Sequence, residues 1–150
     1  MPIAAKKTAT RTDEVGIEQT KTTVPVNLPR LKLSLRLMHG DEIALGPGKA
    51  ELLIAIARTG SISAAGKSME MSYRRAWMLV DVMNRCFKSH LVETAKGGSH
   101  GGGAWLTPLG EEVLAHYQAM DAATKQVATA YLGLFDNVMA GKESISTAIP

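Results

Sequence analysis

Gly60-Ser61-Ile62-Ser63-Ala64-Ala65-Gly66-Lys67-Ser68-Met69-Glu70-Met71-Ser72-Tyr73-Arg74-Arg75-Ala76-Trp77 is the stretch on which the fold turns. Gly60 suits the left-handed residue that stops a preceding helix. Ser61 has the chemistry of an N-cap, so a helix is predicted over Ser61–Met69. Glu70-Met71 leaves room only for a tight turn, and Ser72 supplies the N-cap of a further helix running to about Phe87. In that helix Ala76, Val80, Met83 and Phe87 recur at i, i+4, i+7 and i+11, flanked by Tyr73 and Trp77, and this face is predicted to be core. Arg74, Arg75, Met78 and Arg85 fall on the opposite side.

Upstream, Gly46-Pro47 opens a helix, because proline at the first helical position has no N–H to lose. Leu52, Leu53 and Ile56 give it a buried stripe. Before it, Leu31-Lys32-Leu33-Ser34-Leu35-Arg36-Leu37 alternates without a break, which predicts a half-buried strand ended by His39-Gly40-Asp41. Residues 1–30 show no sustained period and read as a disordered, solvated tail.

Downstream, two short apolar runs, Leu91–Thr94 and Ala104–Leu106, enclose Ala95-Lys96-Gly97-Gly98-Ser99-His100-Gly101-Gly102-Gly103 and predict a β-hairpin. Thr107-Pro108 then starts a last helix, with Glu111 and Glu112 in its first turn, running to about Phe135. Along it Val113, Tyr117, Met120, Thr124, Val127, Tyr131 and Leu134 are spaced alternately four and three apart. That spacing fits a helix-pairing seam or an internal core face.

Three helices, a tight turn between the last two, and a hairpin describe a winged helix-turn-helix, mostly α with a small β component. The fold class is completed by the long C-terminal helix, read as a dimerisation helix. An α-helix fits the major groove of DNA, where base edges carry a readable pattern, and the first residues of a recognition helix meet those edges. Ser72, Tyr73, Arg74 and Arg75 hold that position. Ser61 and Ser63 are placed for phosphate contacts, although Ser61 serves equally as a cap alone. In the hairpin loop, Lys96, Ser99 and His100 offer donors among five glycines that let backbone amides approach a phosphate.

Charge follows the same division. The 150-residue chain carries +3 overall, yet residues 58–100 hold seven basic and three acidic side chains, while residues 101–150 hold two and five. A basic block on a folded element points to a polyanion. A winged-helix module that binds protein without DNA is the alternative, and this block disfavours it.

Other classes lose support. Cys86 is the single cysteine, which excludes an intrachain disulfide and fits a reducing cytoplasm. His39, His90, His100 and His116 form no close ligand pair, so no metal site is expected. Asp41-Glu42 and Glu111-Glu112 are adjacent residues whose side chains diverge, so no catalytic residue or enzyme activity is expected. No run of about 18 apolar residues predicts a membrane span, and the first residues lack a secretory core.

The quoted helix pair resembles the helix-turn-helix of LysR-type regulators. Ser61-Ile62-Ser63, Ser72-Tyr73, Ala76-Trp77, Met83-Asn84, Gly97-Gly98, Gly101-Gly102-Gly103-Ala104 and Leu106-Thr107 together are similar to the N-terminal domain of ModE-type, molybdate-responsive transcriptional regulators. The resemblance spans about residues 31–135. It implies a homodimer, held largely by the last helix, on a palindromic operator in double-stranded DNA, and a repressor-like role in transcription. The expected organisation is a tail over 1–30, a winged helix-turn-helix over 31–107, a dimerisation helix over 108–136 and a flexible C-terminus over 137–150. Full-length relatives carry C-terminal molybdate-binding domains, and this sequence stops at Pro150. The expectation is therefore no cofactor, no molybdate sensing within the chain, and control, if any, through a separate ligand-sensing partner.

Overall fold

The structure, a computed structural model, describes residues 29–97 and 103–140. Almost all of the expected N-terminal tail, Ser99, His100 and the last ten residues of the expected C-terminal tail lie outside those bounds.

An antiparallel hairpin comes first, β1 (Leu37–His39) and β2 (Glu42–Leu45), with Met38 opposite Ile43 and His39 opposite Glu42. Gly40 closes its two-residue turn at φ 58°, a backbone region where glycine carries no Cβ penalty. This corrects the expected strand. Residues 31–36 run without strand pairing, Leu33 and Leu35 are half-buried, and His39-Gly40-Asp41 forms the bend of the hairpin rather than its end. Alternation marks one buried face, but a strand also needs a partner ladder, and only the C-terminal end of the leucine run meets one.

Helix α1 (Pro47–Thr59) starts on Pro47 and stops at Gly60, whose φ is 66°. Leu52, Leu53 and Ile56 are fully buried on its inner face. Helix α2 (Ile62–Ser68) is capped by the Ser61 hydroxyl oxygen, which accepts from the Ala64 N–H at 3.3 Å. Helix α3 (Tyr73–Cys86) is capped in the same way by Ser72, which accepts from the Arg75 N–H at 3.2 Å. Gly66 lets α2 approach α3 closely: a Cβ there would come within 2.8 Å of the Ala76 Cβ.

The second hairpin pairs β3 (Val92–Thr94) with β4 (Ala104–Leu106), and Val92 faces Leu106. Its base is tied on two sides. The Ala104 N–H donates to the Gly60 carbonyl at 2.8 Å. The Asn84 side chain accepts from the Leu91 and Val92 N–H groups at 2.9 and 3.1 Å and donates to the Val92 carbonyl at 3.0 Å.

Helix α4 (Pro108–Ala130) begins on the Thr107 cap, which accepts from the Gly110 N–H at 3.0 Å. It ends five residues earlier than expected, and the chain tightens into a 3₁₀ turn over Leu132–Phe135. One core joins α1, α2, α3, the wing strands and the first turns of α4. The architecture is a mostly α winged helix with two small antiparallel hairpins and a long C-terminal helix.

Candidate nucleic-acid interface

Helix α3 turns Ala76, Val80 and Met83 inward, and all three are buried. At 100° per residue, Arg74, Met78 and Arg85 then point directly away from the core. Tyr73 and Trp77 project from one flank of the helix and Arg75 and Leu79 from the other.

The expectation that Tyr73 and Trp77 flank a core face is corrected. Tyr73 is 62% exposed and Trp77 38%. Their rings meet edge to face, 6.1 Å apart with planes at 61°. Four-residue spacing brings the rings together, but the core behind that flank is already filled by Ala76 and Val80.

This aromatic flank faces a cleft of about 360 Å³ between the start of α2, the first turns of α3 and the wing. The cleft gathers Ser61, Ser63, Tyr73 and Lys96, four of the residues singled out from sequence, and adds Trp77. Ser61 and Ser63 present hydroxyls on one wall and Lys96 an ammonium group on the other. Ser72, Arg74 and Arg75 lie outside that cleft. Arg74 stands on the outward face, and Arg75 lines a second groove of about 380 Å³ between α3 and the N-terminal hairpin.

The outward cations are not equivalent. Arg85 donates to Asp81 at 3.0 Å and to Glu42 at 3.3 Å. The hydrogen bond to Asp81, then the charge of Glu42, holds its guanidinium above the usual arginine range. Arg85 is thus committed within the fold. Among the described residues, no carboxylate pairs with Arg74 or Arg75. Lys49 is 9% exposed and donates to the Ile43 carbonyl; burial lowers its ammonium below the ordinary lysine value.

The heptad residues of α4 divide between two environments. Tyr117 is buried in its own chain, and its hydroxyl donates to the Leu35 carbonyl at 3.0 Å. Burial raises its phenol above the ordinary tyrosine range. Val113 packs beside it against the same core. Thr124 is half-buried and bonds the Met120 carbonyl. Met120, Val127, Tyr131 and Leu134 are exposed, the last three by 60% or more. Among the described residues, no three His, Cys, Asp or Glu side chains gather as metal ligands. No helix there is long and apolar enough to cross a membrane.

Trp77 lines the cleft although the sequence reading gave it no site role, because a large apolar side chain on an amphipathic helix reads as core. Met78, which the sequence places on the side of α3 opposite its core, is 55% exposed there beside Arg74.

No family model matches the chain. Among curated proteins it is 42% identical over 87 residues to the molybdenum-pterin-binding protein MopB of Rhodobacter capsulatus, a match covering 58% of this chain and 32% of that protein. It is 32% identical over 123 residues to the molybdenum-pterin-binding protein MopA of the same organism, covering 81% and 45%. It is 38% identical over 89 residues to the DNA-binding transcriptional dual regulator ModE of Escherichia coli K12, covering 59% and 34%. The chain spans less than half the length of these relatives.

Proposed function

We propose, from homology to ModE-type regulators, that this chain binds double-stranded DNA in a sequence-specific way and regulates transcription. Helix α3 occupies the major groove, and the wing lies on the backbone. One observation carries the reading. Among the described residues, Arg74 has no ion-pair partner and stands on the face of α3 opposite its core, between two flanking grooves. An arginine in that position forks onto guanine O6 and N7, a contact worth about 1–3 kcal/mol of discrimination. Ser61, Ser63 and Lys96 contribute phosphate contacts, and Ser72 orients the first turn of α3 as its cap. Ser99 and His100, which lie outside the described residues, are included from the sequence reading as further phosphate donors.

The exposed stripe Met120, Val127, Tyr131 and Leu134 supports a homodimer, which places two such heads on a palindromic operator. Every residue in this reading lies on the winged helix or α4, so binding is expected without added molybdate.

Selection of bound duplexes from a random library tests the reading. An enriched palindrome is expected, with log K falling against log salt at a slope near −5 if a dimer neutralises roughly 6 phosphates. Arg74→Ala is expected to relax preference at one base pair of each half-site, and Lys96→Ala to weaken all sequences alike. Failure to enrich any sequence would sink the reading, and enrichment only with molybdate present would overturn the ligand-independent part.

A further inference from the structure

The magnitudes of helix and groove raise a question about the second flank of α3. An α-helix with its side chains is about 10–12 Å across, and the major groove of B-DNA is about 12 Å wide. A helix seated there fills the groove from wall to wall, so phosphates of both strands lie beside it. On the wing side, Ser61, Ser63 and Lys96 are ready for one strand. The other strand faces the groove between α3 and the N-terminal hairpin.

That groove is cationic. Arg36 and Arg75 stand on its walls; Lys49 also lines it, but its buried ammonium is held by the Ile43 carbonyl and interacts with Glu42 rather than with the two arginines. No carboxylate lines it. The nearby acid, Glu42, is engaged by Arg85 on the far side of β2. Among the described residues, neither Arg36 nor Arg75 has an ion-pair partner. Arg36 is exposed and extends from the unpaired segment just before β1, with its Cγ near Gly46 at the start of α1. A side chain at Gly46 would narrow this side of the groove: its Cβ would lie 3.6 Å from the Arg36 Cγ.

We propose that this groove, with Arg36 and Arg75 on its walls, is a second phosphate-binding surface that holds the DNA strand opposite the one met by the wing. The proposal rests on the DNA-binding reading and adds a partner strand to it. The N-terminal hairpin then acts as a counterpart to the wing, and the duplex is gripped from both edges of the major groove. Arg75 becomes a backbone contact, and base readout on this face falls to Arg74 and Met78. Because phosphates carry no sequence, the contribution of Arg36 is equal on every duplex.

Fluorescence anisotropy of the full chain with a labelled 30-base-pair duplex of random sequence, titrated across a range of potassium chloride, tests this. Arg36→Gln and Arg75→Gln are each expected to flatten the log K against log salt slope by about 0.9 for each lost phosphate contact. Lys125→Gln, which removes a charge that is paired with Asp121 on α4 and does not line the groove, is expected to leave the slope unchanged. A wild-type slope in both arginine variants overturns the proposal, as does an equal change in Lys125→Gln. If the wild-type chain shows no salt-dependent binding at all, the DNA-binding reading itself fails. Two arginine variants keep the test decisive should either one fold poorly.

Discussion

Gly110 lies against the Leu91 backbone, and a Cβ there would sit 2.1 Å from the Leu91 carbonyl oxygen. That oxygen also accepts the Thr107 N–H at 2.9 Å, so it cannot yield without breaking the entry to α4. Gly48, the second residue of α1, is the opposite case, with nothing within 4 Å of its would-be Cβ. Gly110→Ala is therefore expected to destabilise the fold by about 3 kcal/mol, at the upper end of overpacking costs. Gly48→Ala should instead stabilise it by about 0.5–1 kcal/mol through the helix preference of alanine. Urea unfolding midpoints separate the two, and equal midpoints would show that neither the close approach nor the open space is real. Both glycines look alike in sequence, because what distinguishes them is a neighbour far along the chain.

Legibility changes with the range of the interaction that forms each element. Gly46-Pro47, Gly60, Ser61, Ser72 and Thr107 act on their own backbone within a few residues, and every helix start they mark is present in the structure. The leucine run over 31–37 needed a partner strand to become β structure, and the partner ladder reaches only its last residue. The heptad of α4 set a face but not what covers it: Tyr117 turns to its own core, while Val127 turns outward. The interface shows the same limit. Ser61, Ser63, Tyr73 and Lys96 were recognisable by type and converge on one cleft, whereas the flank on which Arg75 stands depends on where β2 packs. Asn84 is the side chain that fixes the wing to α3, with three hydrogen bonds to β3 and the residue before it. Asn84→Ala leaves two buried-edge N–H groups unanswered and is expected to cost about 2 kcal/mol. Hydrogen exchange should show faster exchange of the Leu91 and Val92 amides, with α1 protected as before. Unchanged exchange at those two amides would refute this role for Asn84.

The whole molecule presents two ends of different character. The winged head gathers one buried apolar core, with Tyr73, Trp77 and Met78 left exposed on α3, whereas the C-terminal half of α4 and the 3₁₀ turn after it lie off that core and expose Val127, Tyr131, Leu134 and Phe135. A single exposed apolar residue is ordinary, but a continuous stripe marks an association surface. The double variant Tyr131→Asp, Leu134→Asp is expected to shift the chain from dimer to monomer in sedimentation equilibrium, with little change in the unfolding of the head. A wild-type chain that sediments as a monomer would remove the basis for this expectation. Under the proposed function, the two halves would separate a reading surface from a pairing surface along one chain. Within the head, Gly60 stops α1, precedes the cap of α2 and receives the Ala104 N–H of the wing. One peptide unit therefore serves as a common axle for the helix pair and the hairpin. If two such chains pair and bind DNA as proposed, a shared pivot of this kind would leave the distance and angle between two whole heads as the adjustable quantity, a change in gauge rather than in grip.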